Sequence, residues 1–228
     1  MIQPSLFDSI SATDQSCDDN GANTINLPNA KLAYIPAWLS PQRSQQLFSA
    51  LKQDVEWQQT EITLYGNKVA IPRLNAWYGD AHCGYNYSNT YFAPLPWLPI
   101  VAQLKRQVEA AFIDSIPAEG VEGDYFNSAL INCYRGGQDS VAWHSDDEPE
   151  LGKNPIVASL SLGETRAFKL RHRYNSDLPI HKMLLSEGDL LLMYGTTQHY
   201  WHHEIPKTRK PVGERINITF RRVNIANQ

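Results

Sequence analysis

Past residue 125 the chain breaks into short runs in which apolar and polar positions alternate. These runs predict strands near 126–134, 155–162, 165–172, 180–185, 188–194, 200–205 and 214–222. Turn-forming clusters separate them: Arg135-Gly136-Gly137, Gly163-Glu164, Asn175-Ser176-Asp177, Glu187-Gly188-Asp189 and Pro211-Val212-Gly213. Before residue 125 the spacing is helical in two places. Ser40 can cap a helix through about Leu51 that turns Leu47, Ala50 and Leu51 inward. A second helix is expected from Trp97 to Phe112, with Leu98, Val101, Leu104, Val108, Ala111 and Phe112 as its apolar stripe. Pro94, Pro96 and Pro99 punctuate the approach to it. Many short strands joined by tight turns predict a sandwich or jelly roll. The class is therefore mainly β with flanking helices, the helices packing on one sheet face.

Residues 1 to about 24 break this patterning. They are rich in Ser, Asp, Asn and Gly, and cannot bury enough apolar surface to offset the entropy of ordering. A flexible tail over 1–24 and one folded domain over 25–228 are expected, with no internal repeat. Within the tail, Gln3-Pro4-Ser5-Leu6-Phe7 resembles the short peptide by which bacterial proteins dock on the replication sliding clamp, although Pro4 departs from the commonest form of that peptide.

Charge and cysteine usage narrow the picture. A formal net charge of -4 argues against a protein that coats nucleic acid without discrimination. It leaves room for local basic clusters, at Arg166, Lys169, Arg171, His172, Arg173 and Lys182, and at Lys207, Arg209 and Lys210. Cys17, Cys83 and Cys133 form no metal-type pair and cannot all pair internally, which points to a reducing, cytoplasmic setting. No apolar run approaches the ~20 residues of a membrane span, and the N-terminus lacks a secretory pattern. No membrane association is expected, and the chain is expected to be a monomer.

Chemistry enters at Trp143-His144-Ser145-Asp146-Asp147-Glu148. In an extended backbone, side chains two apart project to the same side, so His144 and Asp146 can reach one ion. A second histidine from a distant strand would complete a two-histidine, one-carboxylate triad. That set occupies one face of iron(II) and leaves the other open to O2 and a co-substrate. His199, His202 and His203 are the candidates; alternation separates His202 from His203, and spacing alone does not choose among the three.

The segment Arg215-Ile216-Asn217-Ile218-Thr219-Phe220-Arg221 alternates strictly. Ile216, Ile218 and Phe220 face one side; Arg215, Asn217, Thr219 and Arg221 face the other. An ordinary half-buried strand explains the alternation but not two arginines bracketing an amide and a hydroxyl. A polar face inside a barrel mouth does, because guanidinium binds carboxylate bidentately and keeps its charge in a dry site, which suits the dicarboxylate 2-oxoglutarate. The arginine α-carbons lie ~20 Å apart in an extended strand, so both serve one small ligand only if their side chains lean together. Asn132 and Tyr134 share one strand face and can add neutral hydrogen bonds.

Together these segments resemble the AlkB family of nucleic-acid dealkylating dioxygenases. The matching pieces are Leu130-Ile131-Asn132-Cys133-Tyr134 before a glycine turn, His144-Ser145-Asp146-Asp147-Glu148, Pro155-Ile156-Val157-Ala158-Ser159-Leu160-Ser161-Leu162-Gly163, and the Arg215–Arg221 strand. The resemblance runs from roughly Lys31 to Val223. It implies a double-stranded β-helix of jelly-roll type, with Fe(II), 2-oxoglutarate and O2 as cofactors. The family's second histidine precedes a short apolar-proline turn, here Glu204-Ile205-Pro206, which implies His203. Arg215 would pair with the distal carboxylate of 2-oxoglutarate. Arg221 would sit near the chelating carboxylate and Asp146, with Asn132, Tyr134 and Asn217 adding hydrogen bonds.

The implied reaction is oxidative demethylation of 1-methyladenine and 3-methylcytosine in single- or double-stranded DNA, releasing formaldehyde while 2-oxoglutarate becomes succinate and CO2. RNA demethylation or tRNA base hydroxylation is the alternative. A non-catalytic nucleic-acid-binding module and a protein hydroxylase are further ones. A methyl on a pairing nitrogen is hidden in a duplex, so the base must be single-stranded or flipped out. Tyr85, Trp77 and Trp143 are candidates to sandwich it, and Asp147 to contact its amine. Arg166 and Arg171 would hold phosphates. Leu64 and Tyr65, before Gly66, would form an apolar wedge like that of the duplex-DNA branch. The Trp143–Pro149 stretch leans instead toward the branch that prefers single strands.

Overall fold

Two antiparallel sheets face one another and carry the two long helices on a single outer surface in the computed structural model, which describes residues 23–64, 66–87, 90–113 and 125–224. In chain order the elements are β1 (Asn23–Leu27), β2 (Ala30–Ile35), α1 (Pro41–Asp54), β3 (Glu61–Leu64), β4 (Asn67–Ala70), β5 (Leu74–Gly79), β6 (Tyr85–Tyr87), β7 (Thr90–Phe92) and α2 (Pro99–Ile113). There follow β8 (Ser128–Tyr134), β9 (Val141–His144), β10 (Val157–Gly163), β11 (Arg166–His172), β12 (His181–Leu185), β13 (Leu190–Tyr194), α3 (Thr197–Tyr200), β14 (Trp201–Ile205) and β15 (Arg215–Arg221).

The larger sheet has the order β1-β2-β13-β10-β15-β8-β5, and the smaller the order β12-β11-β14-β9. One apolar cluster lies between the sheets, built from Leu32, Tyr134, Val157, Phe168, Leu170, Leu191, Met193, Trp201 and Ile205. A second lies between the far face of the larger sheet and the helices, where Leu47, Leu51, Val101, Leu104 and Val108 meet Ile131, Leu160, Ile216, Ile218 and Phe220. The jelly-roll expectation therefore holds, with both helices on one sheet face. It also explains β15. Ile216, Ile218 and Phe220 point at the helices, so Arg215, Asn217, Thr219 and Arg221 must point between the sheets, and all seven residues are buried.

The helices follow their capping chemistry. Ser40 Oγ accepts from the Arg43 amide at 3.3 Å ahead of Pro41, and α1 runs on to Asp54, past the expected Leu51. α2 begins at Pro99 rather than Trp97, because the helical bonds start with the Val101 and Ala102 amides donating to the Leu98 carbonyl. The inward role expected of Phe112 falls on a side chain outside the described residues, as does the whole of the 1–22 stretch with its Gln3–Phe7 peptide.

The strands before residue 125 are the main departure from the sequence reading. β1 and β2 extend one edge of the larger sheet, and β5 forms its other edge by pairing with β8. β3 and β4 form a separate hairpin whose second strand is exposed throughout. An exposed strand carries no hydrophobic alternation. β5, Leu-Asn-Ala-Trp-Tyr-Gly, is buried over its last four residues on both faces, which also erases the pattern. None of the described helices is long and apolar enough to cross a membrane.

Candidate active site

Cross-strand register builds the centre. His144 on β9 is paired directly with His203 on β14, and both imidazoles face the space between the sheets with ring centroids 4.2 Å apart. The His144 Nδ1 is tied to the Ala142 carbonyl at 2.8 Å, which leaves Nε2 for the interior. Asp146 follows β9, and its amide donates to Gln198 Oε1 at 3.0 Å. One carboxylate oxygen accepts from Arg221 Nη2 at 2.6 Å, and the other lies 3.9 Å from His203 Nε2. One ligand atom from each of His144, Asp146 and His203 falls within 4.8 Å of the others. Of the three candidate histidines, only His203 converges on this point. His202 lies on the outer face, and His199 turns to the Lys153 carbonyl.

The protonation states favour metal binding. Burial lowers the His203 imidazole, its neighbour His144 lowers it further, and with Asp146 pulling the other way it settles at about 3. Burial also lowers His144. Burial alone would raise Asp146, but Arg221 and the two histidines outweigh it and hold the carboxyl below its usual range. Near neutrality the centre is thus two neutral imidazoles and one carboxylate. Protons compete weakly for such ligands as pH falls from 8 to 6. Cobalt(II) affinity over that interval should change by less than about threefold, where ordinary imidazoles would lose roughly tenfold; a tenfold loss by titration calorimetry would contradict the arrangement.

A pocket runs inward from the triad along β15 and β8. It is lined by Asn132, Tyr134, Asn217, Thr219 and Arg215 beside Phe168 and Met193. At its floor Arg215 is 1% exposed. Its Nη2 donates to Ser161 Oγ at 3.0 Å; Nε and Nη1 have no hydrogen-bond partner within 3.5 Å among the described residues, and the Tyr134 side chain lies against the guanidinium. Burial pulls this guanidinium down to about 10, against the upward pull of Tyr134. Unmet N–H groups on a buried cation are what a carboxylate would satisfy. Asn217 is itself braced, its Nδ2 donating to Ser159 Oγ at 2.8 Å and to the Leu160 carbonyl at 3.1 Å. Asn132 Oδ1 accepts from Arg73 Nε at 2.9 Å.

A larger pocket opens on the other side of the triad, between the β5 and β9 edges, with about 840 Å³ of empty space counting its mouth. Trp77 and Leu130 line it with Gln58, Thr60, Asn75 and Glu148. The Glu148 carboxyl is raised by burial, and its Oε2 has no hydrogen-bond partner among the described residues.

The other substrate candidates scatter. Asp147 points outward and accepts from Arg173 Nη1 at 2.5 Å; the neighbouring Glu148, not Asp147, lines the larger pocket. Arg166 is 3% exposed and spends its guanidinium on the carbonyls of Gly136, Asp139 and Pro206, which leaves no surface for a phosphate. Arg171 is exposed, with its guanidinium 4.5 Å from the Trp143 ring, and both lie away from the pockets. The side chains of Tyr85 and Leu64, and all of Tyr65, lie outside the described residues. Gln198, Arg73 and Ser161 escape the sequence reading. Each acts through side-chain hydrogen bonds across the fold, and local pattern carries no trace of that.

The chain matches the 2OG-Fe(II) oxygenase superfamily over residues 31–221. It is 39% identical over 202 residues to a Bos taurus protein named "Alpha-ketoglutarate-dependent dioxygenase alkB homolog 3", covering 85% of this chain and 66% of that one. The chain therefore spans just under two thirds of that relative. It is 32% identical over 187 residues to the Homo sapiens "DNA oxidative demethylase ALKBH2", covering 78% of this chain and 68% of that one. The solved structure of OsALKBH1 superimposes with a TM-score of 0.57 at 20% identity, covering 88% of this chain and all of the other, which supports the fold.

Proposed function

Because the chain belongs to the AlkB family of the 2OG-Fe(II) oxygenase superfamily, we propose that it oxidatively demethylates N-alkylated bases in DNA, 1-methyladenine and 3-methylcytosine. It would release formaldehyde and convert 2-oxoglutarate to succinate and CO2. The observation that carries this reading is the set of unmet N–H groups of Arg215, at the end of a pocket that begins at the His144–Asp146–His203 centre. A metal site alone would not need a buried cation beside it; a site for a metal and a dicarboxylate does.

Membership implies Fe(II), 2-oxoglutarate and O2, which when bound supply oxidation of an N-methyl C–H bond coupled to decarboxylation of the keto acid. The chain's residues do the rest. His144, Asp146 and His203 would hold the iron on one face. Arg221 occupies one oxygen of Asp146, and so presents the other to the ion. Arg215 would take the distal carboxylate, with Asn132, Tyr134 and Asn217 fixing the remaining polar edge. Phe168 and Met193, which line this pocket, would keep water out of it.

The larger pocket suits a flipped base. Glu148, with its unmet carboxylate oxygen, is the better placed acceptor for an exocyclic amine than Asp147. Trp77 would flank the ring, with Tyr85 a further candidate. Leu64 and Tyr65 would supply the wedge, and Arg171 a phosphate contact. Docking on a sliding clamp through Gln3–Phe7, a monomeric state and a cytoplasmic setting complete the reading.

The test is formaldehyde release from matched oligonucleotides carrying 1-methyladenine or 3-methylcytosine, with iron(II) and 2-oxoglutarate. Turnover on methylated DNA that needs both additions is expected. Turnover confined to the RNA oligonucleotide would reassign the substrate. Succinate formed without any base repair would overturn the demethylase reading.

A further inference from the structure

Two groups of described residues bring three metal-ligating side chains together: the iron triad, and Asp80, His82 and Cys83. We propose that this second group, in the turn after β5, is a separate site for a borderline-to-soft divalent cation of the zinc class, and that its occupancy stiffens one wall of the larger pocket.

One oxygen of Asp80, one ring nitrogen of His82 and the Cys83 sulfur all lie within 4.8 Å of one another. Three atoms at that spacing share a centre about 2.8 Å from each, and zinc bonds of roughly 2.0–2.3 Å need each ligand to move in by less than about 1 Å. His82 is exposed and free to make that movement. The donor set also differs from the iron triad in kind. It contains sulfur, which selects zinc-class ions over the hard or oxygen-chemistry metals.

The turn is otherwise preorganised. The Cys83 amide donates to the Asp80 carbonyl at 2.8 Å, and Trp97 Nε1 donates to one Asp80 carboxylate oxygen at 2.8 Å. The other carboxylate oxygen is left for an ion. Cys83 is a free, buried thiol, pushed up to about 11 chiefly by its burial. A cation would displace the thiol proton to solvent, against the burial that holds it. Cys83 also packs with Trp77, Leu151 and Val223, so burial of the thiol serves the core as well, and it is its convergence with Asp80 and His82 that packing does not require.

The link to the pocket runs through one bond. Trp77 Nε1 donates to the Cys83 carbonyl at 3.0 Å, and Trp77 lines the larger pocket. A cation that fixes Cys83 fixes that indole. This consequence, unlike the site itself, rests on reading the larger pocket as the base pocket.

Cobalt(II) alone is the probe. The iron triad contains no sulfur, so the first equivalent should give only weak visible bands. The second should bring a strong near-ultraviolet sulfur-to-cobalt band that zinc(II) bleaches. The Asp146→Asn protein should keep that band, which separates this site from the iron centre and from the proposed reaction. His82→Ala, at an exposed position, should raise the cobalt needed by at least roughly tenfold. Cys83→Ser should remove the band. Absence of any sulfur band in the unmodified protein, its persistence in Cys83→Ser, or an unchanged cobalt requirement in His82→Ala would each overturn the proposal.

Discussion

Asp146→Asn protein should fold, yet bind iron(II) about 10²–10³-fold more weakly and release no measurable formaldehyde. A full set of protein ligands contributes ~10–16 kcal/mol to a tightly held ion, so one ligand among three or four accounts for roughly 3–4 kcal/mol. Asp146 is the only anionic member of the set, and the neutral imidazoles of His144 and His203 do not replace its charge. The choice of asparagine matters. Asp146 also accepts from the buried Arg221 guanidinium at 2.6 Å. Alanine would take that carboxylate away from a buried cation, which costs about 3–5 kcal/mol of stability and mixes unfolding with loss of metal. Asparagine keeps an oxygen facing Arg221 and removes the charge. Denaturant unfolding should therefore rank native, Asp146→Asn and Asp146→Ala in falling stability, while anaerobic iron titration puts both variants far below the native protein. Near-native iron affinity in Asp146→Asn would dissolve the triad.

The sequence showed most where strand parity applies, and least where parity stops. β15 was legible because strict alternation around two arginines suits a polar face turned inward and little else, and that face does lie between the sheets. The same rule, carried further, would have placed two residues that the chemistry alone misplaced. Arg166 shares its parity with Phe168 and Leu170 and so points inward, where its guanidinium meets three backbone carbonyls. Trp143 precedes the inward His144 and so points outward, against Arg171.

Past His144 the backbone leaves the strand, and a short 3-10 turn over Pro149–Leu151 follows. Parity reaches Asp146, which still converges with His144, but not the residues between it and the turn, so it places neither Asp147 outward nor Glu148 in the pocket. His203 was not separable from its neighbours by spacing either. Its position depends on pairing between β14 and β9, strands separated by more than fifty residues of chain. Two of the early strands, β4 and β5, were hidden for a different reason. β4 is exposed on both faces and β5 is buried on both over its last four residues, and neither case writes an alternating pattern.

Arg215→Met protein should need at least roughly 100-fold more 2-oxoglutarate to reach half-maximal turnover, with little change in its affinity for methylated DNA. Charge-assisted hydrogen bonds contribute about 1.5–3 kcal/mol each, and Arg215 has two donor nitrogens, Nε and Nη1, left for the co-substrate. The same substitution makes a second, opposite demand. Without ligand, Arg215 is a buried cation that burial depresses to about 10, with Ser161 as the acceptor for its remaining nitrogen. Replacing such a poorly satisfied charge by an apolar side chain of similar length is often neutral or stabilising. The ligand-free variant should thus melt at or above the native temperature, whereas 2-oxoglutarate with manganese(II), which stabilises the native protein by preferential binding, should stabilise the variant far less. An arginine serving only the fold behaves the other way, losing about 3–5 kcal/mol when truncated and leaving the co-substrate requirement unchanged. Thermal unfolding with and without 2-oxoglutarate, beside the co-substrate dependence of turnover, distinguishes the two. Loss of ligand-free stability together with an unaltered 2-oxoglutarate requirement would remove Arg215 from the binding site and leave that pocket without its anchor.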